Sequence, residues 1–88
     1  MTLEEAKELK PNQHIYYKSI YTLLCYEIDV KELKYNIHDK LEIYLQDGSY
    51  VPEKDLGQLF LIKEDCIKSC ITDLEGRIKL LKNQEESI

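Results

Sequence analysis

From Leu41 onward apolar and polar side chains alternate, with Leu41, Ile43 and Leu45 on one side and Glu42, Tyr44 and Gln46 on the other. A period of two is that of a strand with one buried face. Asp47-Gly48 follows, the pair that supplies the positive φ of a tight hairpin turn. Ser49 to Val51 reads as the return strand, ended by Pro52. Pro52 fits the first position of a helical turn and Gly57 a left-handed cap after Glu53 to Leu56, so PEKDLG predicts one turn of 3₁₀ or α geometry. Leu59 to Ile62 is wholly apolar and too short for a helix, and is expected to be a buried strand.

Upstream, Thr2 and Glu5 form a capping box ahead of a short helix whose apolar face is Leu3, Ala6 and Leu9. Pro11 ends that helix near Lys10, because the residue before a proline is turned away from helical geometry. His14 to Ser19 is β-rich through Ile15, Tyr16 and Tyr17 and predicts a first strand. From Leu23 to Tyr35 the alternation places Tyr26, Ile28 and Val30 together. The apolar parity then changes, with Leu33, Tyr35 and Ile37 in odd positions. One extra residue near Lys31-Glu32, as a bulge or bend, restores burial; a helical turn over Val30 to Tyr35 is the alternative. Asn36 to Lys40 carries turn residues.

The last segment changes period. Ile67, Ile71, Leu74, Ile78 and Leu81 recur at alternating spacings of four and three, with Cys66 and Cys70 widening the stripe at its start. Glu64 and Asp65 in the first turn, and Lys79 and Lys82 in the last, suit the helix dipole. The division expected is therefore one domain, with an N-terminal helix over 1–10, a five-stranded SH3-like barrel over 11–62, a longer C-terminal helix over 63–84 and a frayed tail over 85–88.

Composition narrows the function classes. With 88 residues and 43% apolar content the chain is one folded domain with a thin core. A net charge of -5 disfavours nucleic acid, which demands clustered Lys and Arg. The acidic residues lie singly among lysines, as a solvated surface. Three cysteines, Cys25, Cys66 and Cys70, are an odd number, which suits a reducing cytosol better than a disulfide framework. No run approaches the roughly 18 apolar residues of a membrane span, and the charged start MTLEEAKELK contains no apolar signal segment. A cytoplasmic protein is expected.

The order of a short helix ending in LKPNQ, a YY strand, LQDGSYVPEKDLG and LFLIKEDC leading into a helix resembles small open reading frames of phages and mobile elements of AT-rich Gram-positive bacteria. The resemblance spans nearly the whole chain. It implies an SH3-like barrel with a C-terminal helix, no enzymatic activity, and a host-directed accessory or anti-defence role. That pattern places Thr before the last helix, where this chain has Ile62, a weaker cap.

No residue pattern calls for catalysis, a cofactor or a metal. His14 and His38 have no nucleophile and orienting acid placed with them by sequence. Cys66 and Cys70 share a helix face, but without a CxxC knuckle they read as small buried apolar residues. Among seven tyrosines, Tyr16, Tyr17, Tyr35 and Tyr44 on outward faces are candidates for an aromatic partner contact; the plain alternative is a core or rim role. Proline-peptide recognition is not expected, since Glu53, Lys54 and Asp55 occupy the helical turn where aromatics are needed. The only basic cluster for a nucleic-acid reading is Lys31, Lys34 and Lys40, with Glu32 and Asp39 among them.

For the C-terminal stripe the first expectation is packing on its own barrel. The alternative is self-association as a homodimer or larger oligomer through Ile67, Ile71, Leu74, Ile78 and Leu81. Ile71 and Ile78 at a with Leu74 and Leu81 at d suit a parallel two-stranded coil. Glu64 and Glu85 at flanking a positions, and Arg77 at g facing Lys82 at e, oppose that arrangement. The function expected is non-enzymatic binding of a host protein; the alternatives are a nucleic-acid or nucleotide-binding accessory protein and a structural homo-oligomer assembled through the C-terminal helix.

Overall fold

The structure, a computed structural model, describes residues 1–86. Helix α1 (Leu3–Lys7) opens on the expected capping box: the Thr2 hydroxyl accepts from the Glu5 amide at 3.2 Å and the Glu5 carboxylate accepts from the Thr2 amide at 2.9 Å. Ala6 and Leu9 are buried, with Leu3 packed beside them. The Met1 nitrogen donates to the carbonyls of Leu56 and Leu59, tying this helix to the far end of the sheet.

Five strands follow: β1 (His14–Lys18), β2 (Cys25–Tyr35), β3 (Leu41–Leu45), β4 (Tyr50–Pro52) and β5 (Leu59–Phe60). They form one antiparallel sheet in the order β4-β3-β2-β1-β5. Strand β2 serves two ladders. Its first half, Cys25 to Asp29, pairs with β1, and its second half, Val30 to Tyr35, pairs with β3. The register shifts between Val30 and Glu32, where the change of parity requires an extra residue. That shift keeps Val30 and then Leu33 turned toward the core, and the helical alternative over Val30 to Tyr35 is not adopted. Ile15, Val30, Leu41, Ile43 and Leu59 are fully buried and form the centre of the core.

The hairpin between β3 and β4 is built differently from a two-residue turn. Gly48 alone takes a positive φ, 91°, while Leu45 accepts from the Gly48 amide and its own amide donates to the Ser49 carbonyl. These bonds define a three-residue loop in which Gly48 fills the left-handed position. The Asp47 carboxylate accepts from both the amide and the hydroxyl of Ser49, which holds its pKa below the usual carboxylate value. The extra loop residue sets Tyr44 opposite Tyr50 and Ile43 opposite Val51.

Four boundaries depart from the sequence reading. Leu23 does not begin β2; it lies buried in a left-handed turn whose polar ends are met by Ser19, and the strand starts at Cys25. The turn after Pro52 is a 3₁₀ helix, Glu53–Gln58, in which Gly57 is not left-handed; the exit passes through extended Leu59. Strand β5 is only two residues long, and Leu61 and Ile62 are exposed, since no partner strand continues past Phe60. Helix α2 (Lys63–Glu86) runs past the expected end at 84, so residues 85 and 86 belong to it; the rest of the anticipated tail, 87–88, lies outside the described residues.

Candidate protein-contact surface

Twenty-four residues at 1.5 Å each make α2 about 36 Å long, and the molecule's longest dimension is 50 Å against 28 and 23 Å. The helix meets the sheet on β1, β2 and β5, through its N-terminal half. Cys66 and Cys70 are the buried residues of the helix. Their short side chains let the helix lie close to the strands, and Lys18 of β1 fastens the contact. Its ammonium group, on a side chain only 14% exposed, donates to the Ser69 hydroxyl at 2.8 Å and pairs with Asp73 at 2.9 Å.

That anchorage leaves the long aliphatic stripe uncovered. At about 100° per residue, Ile67, Ile71, Leu74, Ile78 and Leu81 centre about 90° around the helix from Cys66, Cys70 and Asp73. Their exposures are 39%, 49%, 43%, 52% and 63% respectively. The expectation that the stripe packs on its own sheet is thus wrong. Periodicity shows that a helix has an apolar side, not which surface covers it, and here the cysteines take the place on the sheet. Beyond them the loop of Ile20 and Leu23 stands against Gly76 and Leu80 across an open groove of about 720 Å³.

The tyrosine candidates separate. Tyr44 stacks on Tyr50 with ring centroids 5.4 Å apart and planes at 23°. Its hydroxyl donates to Glu42, and Lys34 lies 5.0 Å from the ring centroid. Donation to Glu42 holds the phenolic proton and raises its pKa. Tyr50, 52% exposed, completes the pair and was not among the candidates, because its position opposite Tyr44 follows from the three-residue loop. Tyr35 is exposed at the end of β2, Tyr16 is half-buried, and Tyr17 packs against the core. The four do not form one cluster with α2.

Charge clusters have local explanations. Lys34 pairs with Glu32 at 3.3 Å and Lys40 with Glu53 at 3.6 Å, so two of the three lysines of the basic cluster already face carboxylates. His38 sits exposed in the Asn36 turn, as its sequence setting predicts. His14 and Asp29 are cross-strand partners whose side chains hydrogen-bond, with Glu27 3.4 Å from the same ring nitrogen. Their ligand atoms lie within 4.8 Å of one another, the one such group among the described residues that has the donors for a metal ion. An imidazolium held by two carboxylates accounts for the arrangement without one. The hydrogen bond to Asp29 is the largest cause raising the His14 pKa. A group with a raised folded-state pKa stabilises fully below the ordinary imidazole value of about 6.5 and loses that contribution as pH rises through the raised value. Nuclear magnetic resonance titration is expected to place the His14 midpoint above the ordinary imidazole value, and Asp29→Asn to bring it back down; an unchanged midpoint in Asp29→Asn would refute the pairing.

The three cysteines meet in space although Cys25 is distant in sequence. Cys66 contacts both Cys25 and Cys70, and burial first, then the contact with Cys25, pushes its thiol pKa far up. The thiol stays protonated, which suits packing and not nucleophilic chemistry.

Comparison with known proteins finds no match among protein-family models, curated proteins or solved structures. Among the described residues no helix is long and apolar enough to cross a membrane.

Proposed function

We propose that the protein is a small non-enzymatic binding module that acts by protein-protein contact, with the free side of α2 as its contact surface. The observation that carries this reading is the exposed line of Ile67, Ile71, Leu74, Ile78 and Leu81 on a helix anchored through an adjoining face. Exposed apolar residues scattered singly are ordinary, whereas a contiguous apolar patch marks an interaction site.

The fold reading that accompanies it is an SH3-like barrel. Its support is the placement of β1 between β2 and β5, the bulge where β2 changes partners, and the 3₁₀ turn before β5. The resemblance of LKPNQ, LQDGSYVPEKDLG and LFLIKEDC to phage open reading frames supports a host-directed, anti-defence purpose, with a host protein as the partner.

The test uses the immobilised full chain against a Gram-positive host lysate. The wild type is expected to retain a protein that the Ile71→Asp/Ile78→Asp variant does not, with identical melting curves for both. Equal retention by the two, or none by the wild type at low salt, overturns the reading.

A further inference from the structure

The flanks of the exposed stripe carry charges in an order that discriminates between the ways two such helices can pair. With Ile71 and Ile78 at a and Leu74 and Leu81 at d, Lys68, Glu75 and Lys82 run along one flank and Lys63, Cys70, Arg77 and Gln84 along the other. Charged residues on the flanks of a helix seam set orientation and register more than affinity.

A parallel pair sets g against the following e of the other helix. Lys63 then faces Lys68 and Arg77 faces Lys82, each twice by symmetry, which places like charges together at four points. An antiparallel pair sets e against e and g against g, and its outcome depends on register. Putting Ile71 level with Leu81 of the second helix opposes Glu75 to Glu75, Arg77 to Arg77 and Lys68 to Lys82. Sliding one heptad the other way leaves too little overlap for more than two apolar layers.

One register removes every conflict. With Ile71 level with Leu74 of the second helix, the layers are Ile67 on Ile78, Ile71 on Leu74, and their two symmetry equivalents. Lys68 of each helix then faces Glu75 of the other along the one flank that the two helices share through these positions, and on the opposite flank, where Arg77 comes level with the sheet-buried Cys70, no like charges meet. Glu64 falls opposite Leu81 at the rim, where its carboxylate stays in water. Lys68 and Glu75 are both exposed in the single chain and make none of its anchoring contacts, which belong to Lys18, Ser69 and Asp73.

Resting on the reading of α2 as a contact surface, we infer that its occupant is a second copy of this chain, docked antiparallel through α2 with Ile71 against Leu74 and Lys68 against Glu75. The charge order carries the choice of partner, since the stripe is complementary to itself in this register and self-repelling in the others. Four apolar layers make a short interface, and small interfaces of under about 1,200 Å² are weak and transient.

Sedimentation or light scattering up to roughly 1 mM chain is the appropriate measurement, because contacts of that size dissociate between about 1 µM and 1 mM. The wild type is expected to reach dimer mass and Ile71→Asp to remain monomeric. Lys68→Glu creates two like-charge contacts and is expected to weaken the dimer about tenfold; Glu75→Lys does the same, and Lys68→Glu/Glu75→Lys in one chain restores it. In a parallel dimer Lys68→Glu would instead pair with Lys63 and strengthen association, so that result overturns the inference. A wild type that stays monomeric at the highest concentration also overturns it, and leaves the contact-surface reading to be decided by the lysate comparison.

Discussion

Replacing Ile43 with alanine is expected to destabilise the protein by about 2–5 kcal/mol, the cost of removing a fully buried aliphatic chain and leaving a cavity. Ile43 is wholly inaccessible to solvent, and its cross-strand partners are Leu33 on β2 and Val51 on β4. It therefore joins the two ladders on one side of the sheet. Small domains hold roughly 5–15 kcal/mol in total, so the variant should melt at least about 10 °C lower and begin to unfold near room temperature. Thermal and urea denaturation followed by circular dichroism measures this. The control is Ile71→Ala, the same chemistry at a half-exposed site, where a change within about 0.5 kcal/mol is expected. Comparable losses at both positions would mean that α2 packs on something in the folded monomer.

The second large effect is expected at Lys18. Lys18→Ala removes a hydrogen bond to Ser69, an ion pair with Asp73 and the packing of the aliphatic stem between strand and helix. Asp73 remains partly in water and is rehydrated, so the loss is expected near about 1–2 kcal/mol, below that of a fully buried pair. Lys18→Met keeps the stem and deletes the charge, and should recover part of that loss. Hydrogen exchange locates the damage: amides of 66–73 should lose protection while those of β3 keep theirs. A uniform loss along the sheet would show that Lys18 supports the core and does not serve as the helix anchor.

Sequence patterning reached the elements well where local chemistry specifies them. Thr2 with Glu5, the alternation of Leu41, Ile43 and Leu45, and the parity change after Val30 each correspond to a backbone requirement that neighbouring residues alone can express. It reached further than boundaries at β2, where a misplaced apolar face predicted the shift found at Val30/Glu32. It failed where the deciding partner is remote. Leu61 and Ile62 look like strand residues, yet a strand needs a neighbour, and β1 pairs no further than Phe60. Gly57 resembles a helix cap, but a 3₁₀ turn that exits straight into an extended residue needs no left-handed one. Tyr50 escaped notice because one residue of loop length decides what stands opposite Tyr44. The aliphatic stripe of α2 was legible residue by residue but was expected first against its own sheet, since the close approach that favours Cys66 and Cys70 there is not displayed in the sequence.

The division of β2 between two partners also orders the route by which the chain folds. Its second half pairs with β3 across the short 36–40 connection, and β3 pairs with β4 across three loop residues, so these contacts close small loops. The β1–β5 ladder, Tyr16 with Phe60 and Tyr17 with Leu59, joins residues more than forty apart and closes a loop that contains the rest of the sheet. Loop-closure entropy makes the short connections form before the long one. The β1–β2 connection is short as well, Lys18 standing opposite Cys25, so the β1-β2-β3-β4 meander is expected to form first. Strand β5 and the helix that hangs from it are expected to dock last, so that the aliphatic line of α2 takes its final place only once the sheet beneath it is complete.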